Sequence, residues 1–372
     1  MDSPSLDAPA AKLSSGALVQ LSKNARRFYR QHDYLKACAL YRQGLASDPQ
    51  NLYLLSGLGD ACRESQDYAG ARVAYESLLQ IEPDNLFALR GLGDLCRDEG
   101  DLGAAIQLWQ RYLGLRSDDV YVMMRVADAY KALDQHERAE SFYHRILELS
   151  PQDTIALTGL ADLLHCNGRD LEAIACYEKI LTLRKDVLQI LTIVGKLCWR
   201  VADFEKAKRF FLLALDIDPD NPYALYGLGN CYRWQQDYRR AVETWQRILR
   251  HNSGTINLYS RLGDALGHLG ELDEAEASYR LALGEGYDRY AKIGLIKLCC
   301  DRGDFGRAME ELNDLVSNET DPWQQINELS QRFVRAGRRE AMISFYHHLL
   351  EARVPNCIDP RRLADLIEKL EG

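Results

Sequence analysis

The chain has no run of apolar residues approaching the roughly 18 that a membrane helix needs, so no membrane span is expected. It has no basic excess either. Lys and Arg number 46 against 55 Asp and Glu, leaving a formal charge of −9. A surface built to track phosphate backbones is ordinarily basic, so nucleic acid is not the expected partner. The first residues, MDSPSLDAPAAKLSSG, lack the apolar stretch of about 7–15 residues that a secretory signal carries. The expected location is therefore the cytoplasm, with residues 1–17 disordered. Ten cysteines are present but no CxxC pair, and the eight histidines show no HExxH or other ligand spacing. Neither a metal site nor a cofactor is expected. GxSxG is absent, and no glycine-rich loop follows a strand pattern, so a catalytic role is not expected.

What is present is ordinary for a folded protein: 372 residues, 47% hydrophobic and 27% charged. Those fractions exclude a disordered tail protein and a collagen. The order within the chain is not ordinary. Prolines 49, 83, 151 and 219 are separated by multiples of 34 residues. Stepping by 34 from Ala37 gives Ala71, Ala105, Ala139, Ala173, Ala207, Ala241 and Ala275. Four residues after each stands an aromatic: Tyr41, Tyr75, Trp109, Tyr143, Tyr177, Phe211, Trp245 and Tyr279. A leucine column runs in the same register from Leu45 to Leu283. A fixed period of this size is the signature of a repeat array.

Counted from Leu18, the units are 18–51, 52–85, 86–119, 120–153, 154–187, 188–221, 222–255 and 256–288. Residues 289–321 and about 322–354 are weaker copies; the ninth keeps Gly303, Asp304 and Ala308. Within a unit, small or apolar residues at positions 4, 7, 8 and 11 make one helical stripe, as Leu89, Leu92, Gly93 and Cys96 do in the third unit. Ala at 20, the aromatic at 24 and Leu at 28 make a second. Gly and Asp punctuate between them, as at Gly100-Asp101, and Pro-Asp-Asn closes units two and six. Two short helices cannot bury such stripes alone, so neighbouring units must stack. Cys62, Cys96, Cys198 and Cys299 share position 11 with Leu, Tyr and Phe in other units, which reads as a core column rather than a redox centre.

These columns resemble the tetratricopeptide repeat family over about residues 18–354. The resemblance implies an all-α, right-handed superhelical solenoid of nine to ten helix-turn-helix units. Residues 18–288 are expected to form eight regular units and 289–354 two degenerate ones. Residues 355–372 are expected to hold a capping helix, with Leu363, Leu366, Ile367 and Leu370 on one face.

The resemblance also implies that the first-helix face opposite the packing stripe lines a concave groove. Such a face should be polar. Here position 2 holds Tyr53, Phe87, Tyr121 and Tyr223, with Tyr226, Trp199 and Trp234 at positions 5, 12 and 13. Position 9 carries Asp60, Asp94, Asp128 and Asn230; position 12 carries Arg63, Arg97, Lys131 and Arg233. At i, i+3 spacing these charges are expected to pair locally for a few tenths of a kcal/mol, or else to grip a peptide backbone. Some family members clamp a C-terminal carboxylate with a lysine at position 5; no unit here has it. The function expected is a non-catalytic scaffold that binds a peptide or helix of a partner protein. The alternatives are a regulatory or targeting subunit of a multiprotein enzyme or secretion complex and an RNA-binding helical-repeat protein. Any self-association is expected to run through the solenoid ends.

Overall fold

The structure is a computed structural model that describes residues 13–184, 187–251, 254–319, 322–351 and 360–371. Much of the N-terminal segment expected to be disordered, residues 1–12, lies outside them, as do residues 352–359 ahead of the last helix. Among the described residues there are helices and turns but no strand. The chain divides into two compact units, residues 1–184 and 185–372.

The first unit holds five helical hairpins: α1 (Ser15–Arg30) with α2 (Tyr34–Ser47), α3 (Leu52–Glu64) with α4 (Tyr68–Ile81), α5 (Leu86–Asp98) with α6 (Leu102–Leu115), α7 (Val120–Ala132) with α8 (His136–Leu149), and α9 (Thr154–Cys166) with α10 (Asp170–Leu183). The second unit repeats the plan with α11 (Leu188–Arg200), α12 (Phe204–Ile217), α13 (Pro222–Trp234), α14 (Tyr238–His251), α15 (Ile256–Leu269), α16 (Leu272–Glu285), α17 (Arg289–Asp301), α18 (Phe305–Asn318), α19 (Trp323–Arg335) and α20 (Arg339–Glu351), closed by α21 (Pro360–Glu371). Within each unit, first helices of successive hairpins touch, as α3 touches α5 and α15 touches α17.

The punctuation residues act as caps. The asparagine of each Pro-Asp-Asn accepts a backbone N–H from the helix it opens: Asn85 Oδ1 from Ala88 at 3.1 Å, and Asn221 Oδ1 from Ala224 at 3.1 Å. Second helices open on aspartates in the same way, with Asp67 Oδ1 accepting from Gly70 N at 3.0 Å. Each such cap contributes about 1 kcal/mol. Between the two helices of a hairpin the chain passes through the left-handed region, at Gly168 with φ +75° but also at Ala202 with φ 61°.

The columns close on each other through the aromatic. The Tyr75 ring is fully buried between two glycines, Gly59 of its own repeat and Gly91 of the next. A Cβ on either would stand 2.5 Å or 2.4 Å from Tyr75 Cε1. Phe211 sits the same way between Gly195 and Gly227, and Tyr279 between Gly263 and Gly294. The glycines thus bring backbone to ring, and the alanines of the second helices, Ala71 and Ala105 among them, are fully buried beside them. Cys62, Cys96, Cys198 and Cys299 are buried thiols, and burial pushes Cys62 up to about 12. In the second unit α21 lays Leu363 and Ile367 into a cluster with Met342, Phe345 and Leu349, so the apolar side of α20 is covered.

Candidate functional site

The first helices expose the residues that the packing does not use. In the first unit Tyr53, Phe87 and Tyr121 are 51%, 60% and 81% exposed, and Ile155 continues the column. In the second unit Tyr223 and Tyr290 are exposed as well. Large apolar side chains left in water at repeat spacing are the mark of an interaction surface. Trp234 is also exposed on one side, but its ring lies 4.1 Å from that of Phe204, which in turn meets Trp199 at 4.6 Å. Tyr226 is half-buried beneath the Arg261 guanidinium, 5.7 Å from its ring centroid.

The charged positions do something other than the local pairing that their i, i+3 spacing suggests. Position 9 accepts from the aromatic of its own repeat. Tyr75 Oη donates to Asp60 Oδ1 at 2.6 Å, Tyr143 Oη to Asp128 Oδ1 at 2.8 Å, and Tyr177 Oη to Asp162. Burial and these carboxylates together push the three phenols well above their ordinary range. Burial also holds the Asp60 carboxyl above its usual value, against the opposing Tyr75 bond.

Position 12 reaches forward to the next repeat. Arg63 pairs with its neighbour Glu64 at 2.8 Å and also reaches Asp98 at 3.4 Å and Asp94 at 3.7 Å, Lys131 lies 3.9 Å from Asp162, and Arg233 lies 3.3 Å from Asp264. Arg97 turns to its neighbour Asp98 at 2.9 Å. The physical reason is geometric. The aromatic at 24 already holds the position-9 carboxylate on one side, and the stacked first helix offers the arginine a second carboxylate within reach.

Asp94 and Asn230 differ from Asp60, Asp128 and Asp162 at position 9 in being buried. Their repeats carry tryptophan at 24, whose indole cannot offer a hydroxyl at the tyrosine's place. Asp94 is held instead by two arginines, Arg125 Nε at 2.9 Å and Arg63 at 3.7 Å. Asn230 Oδ1 has no hydrogen-bond partner among the described residues.

The second unit also holds a cavity of about 580 Å³ along α13, α15, α17 and α19. Its charged lining is Arg233, Arg261, Lys297 and Arg332 against Asp264 and Asp301. Of these, Arg233 stands at position 12 and Asp264 and Lys297 at position 9 of their units; nothing in the sequence set Arg261, Arg332 or Asp301 apart. Arg332 pairs with Asp301 at 2.9 Å and Lys297 with Glu328 at 2.7 Å. Among the described residues no group of three or more His, Cys, Asp or Glu could hold a metal ion, and no helix is long and apolar enough to cross a membrane.

Family profiles described as tetratricopeptide repeat match residues 23–85, 125–186, 201–263 and 256–284. The heat shock protein STI1 of Saccharomyces cerevisiae is 30% identical over 103 residues, which are 27% of this chain and 18% of that protein. The TPR repeat-containing protein YpiA of Bacillus subtilis is 28% identical over 121 residues, which are 32% of this chain and 28% of that protein. The chain thus matches less than a third of the length of either relative. Among solved structures, the C-terminal part of a TPR repeat-containing protein from Cytophaga hutchinsonii superposes with a TM-score of 0.56 at 14% identity, covering 66% of this chain and 98% of that one. A chain of the Naa15/Naa10 structure bound to HypK-THB gives 0.50 at 15% identity, covering 90% of this chain and 58% of that one.

Proposed function

The chain belongs to the tetratricopeptide repeat family, and from that premise we propose that it is a non-catalytic scaffold whose first-helix face binds an extended or helical segment of a partner protein. In this reading residues 18–288 form eight regular units, 289–354 two degenerate ones, and 355–372 a cap. The observation that carries the proposal is the column of exposed aromatics, Tyr53, Phe87 and Tyr121, one per repeat on α3, α5 and α7. Aromatics of this kind dominate the energetics of protein interfaces. They recur at the 34-residue period, so a bound segment meets the same kind of side chain from each unit in turn.

The charges alongside suit the same role. Asp60, Asp128 and Lys131 remain at least partly accessible, and Arg97 is exposed, so they offer a backbone fixed donors and acceptors. Asp94 and Arg63 are tied into the ion pairs that hold successive repeats together, which makes them supports for the surface rather than contacts. In the second unit Tyr223, Tyr226, Asn230, Arg233 and Trp234 serve that unit's own first-helix face, Tyr223 as the most exposed of them. The affinity itself does not follow from exposed area, since ordering and desolvation offset most of the gain. The test is alanine at Tyr53, Phe87 and Tyr121, read as partner binding and melting in parallel.

A further inference from the structure

Where one repeat stacks on the next, position 21 of the first meets position 11 of the second. Lys208 lies over the ring of Tyr232 at those positions, 4.9 Å from its centroid. Arg72 meets Cys96 there, and Val242 and Leu266 share one core cluster. At the first junction both positions hold cysteine, Cys38 on α2 and Cys62 on α3, and no other junction in the sequence has that pair. Cys62 is a core residue, as its column indicates, but the column alone does not show that a second thiol faces it. Both side chains are buried, and their sulfurs stand 3.5 Å apart. That is contact without a bond, since a disulfide brings its sulfurs to about 2.05 Å.

The pair lies beneath an ion pair at the surface. Arg42 Nη2 is 3.8 Å from Cys62 Sγ and 2.8 Å from Asp67 Oδ2, and the arginine side chain is mostly exposed. A guanidinium beside two sulfurs repels a metal cation and favours a thiolate, so the pair suits sulfur–sulfur bonding and not ligation. In the closed fold burial and the facing thiol push Cys62 up to about 12, which keeps it protonated at neutral pH. Reaction therefore requires the α1–α2 hairpin to open. Among the described residues that hairpin has a neighbouring repeat on one side, through α3. A hairpin held from one side loses fewer contacts on opening than one held from both, and opens more readily.

We infer that Cys38 and Cys62 form a reversible disulfide that staples the first repeat to the second, with a small-molecule disulfide such as oxidised glutathione as the oxidant. In the opened hairpin the thiolate of one cysteine attacks a sulfur of the small disulfide and releases one small thiol, leaving a mixed disulfide on the protein. As the hairpin recloses, the second cysteine loses its proton and attacks the protein sulfur of the mixed disulfide, which expels the second small thiolate. One sulfur–sulfur bond breaks and one forms. Two protein thiols give up two electrons and two protons, and the oxidant leaves as two thiols. The new bond joins residues 24 apart in sequence, and the opened ensemble loses the freedom of the loop between them. Reduction reverses each step. The docking of α1 and α2 against α3, the helix that carries Tyr53, thereby responds to the thiol–disulfide balance around the protein.

The experiment treats the full chain with oxidised or reduced glutathione under native conditions, blocks the remaining thiols with N-ethylmaleimide in denaturant, and maps tryptic peptides by mass spectrometry. Trypsin frees Cys38 within residues 37–42 and Cys62 within residues 43–63, so the disulfide holds together two peptides that cleavage after Arg42 would separate. The oxidised sample should contain that linked pair, two hydrogens lighter than the sum of the free peptides, and dithiothreitol should remove it. Cys96, in the same column but opposite Arg72, should stay a thiol. Hydrogen exchange across α1 and α2 should slow by at least about tenfold on oxidation, within what closing a loop of this length supplies. Cys38→Ala and Cys62→Ala should each show neither the link nor the slowing. Absence of the link in wild type overturns the inference. So do equal amounts of links from Cys38 or Cys62 to other cysteines, and a link that leaves exchange unchanged. None of these readouts involves a partner protein, so this inference and the scaffold reading fail separately.

Discussion

Replacing Gly91 with alanine tests the packing that stacks one repeat on the next. In an open helical site the change is favourable, because alanine is the better helix former by up to about 1 kcal/mol. At Gly91 the new methyl would lie 2.4 Å from Tyr75 Cε1, 2.5 Å from Cζ and 2.8 Å from Oη. Ordinary carbon contacts begin roughly 1 Å further out. The ring cannot retreat. Gly59 backs it on the other side, where a Cβ would stand only 2.5 Å away, and Asp60 holds its hydroxyl at 2.6 Å. Relief must come from separating α5 from α4, and overpacking of this kind typically costs about 1–3 kcal/mol. The expected net effect is a loss of about 1–2 kcal/mol once the helix-propensity gain is subtracted. Gly114→Ala on α6, where nothing lies within 4 Å, is the matched control and should gain up to about 1 kcal/mol. Repeat arrays need not unfold in one step. The assay is therefore urea unfolding paired with hydrogen exchange across α3–α6, where Gly91→Ala should lose protection. Equal stabilisation by both substitutions would refute the ring-between-glycines account.

Two further expectations follow from local geometry. Ala202 occupies a left-handed turn with φ 61°, so Ala202→Gly should raise stability by about 1 kcal/mol in thermal melts, whereas Gly168→Ala, at φ +75°, should lower it by a similar amount. The Asp67 carboxyl is held below its ordinary value, first by the Gly70 N–H it caps and then by Arg42 at 2.8 Å. A depressed carboxyl contributes stability above its unfolded pKa near 4 and loses it as pH falls through the folded value. Asp67→Ala should therefore cost about 1 kcal/mol at pH 7 and nearly nothing once both forms are protonated, as read from urea midpoints across the acid range.

The repeat itself was legible because each column answers a steric demand that recurs in every unit. The rings of Tyr75, Phe211 and Tyr279 have glycine on both sides, so glycine and aromatic residues recur together in those units. The exposed aromatics were legible for the converse reason: Tyr53, Phe87 and Tyr121 sit at a position where packing asks for nothing apolar. The charge pairing was not legible. Spacing along one helix puts Asp60 next to Arg63, yet Arg63 turns to Asp94 in the next repeat, 31 residues on. Nor did a column of like residues mark Arg261 or Arg332, because the cavity they line arises from four successive helices and not from one recurring position. The burial of Asp94 and Asn230 had a signal in the sequence that was not used: both precede a tryptophan by fifteen residues where other repeats have tyrosine or phenylalanine.

The scaffold reading is tested most directly by the triple substitution Tyr53→Ala, Phe87→Ala and Tyr121→Ala. A partner captured by the wild-type chain is titrated against both proteins by calorimetry while their melting is followed by circular dichroism. All three rings are more than half exposed, so the melting temperature should hold within a few degrees. Each ring should contribute about 1 kcal/mol or more to binding, so affinity should fall by about a hundredfold or more. A triple variant that melts early and binds its partner as tightly as wild type would contradict the account.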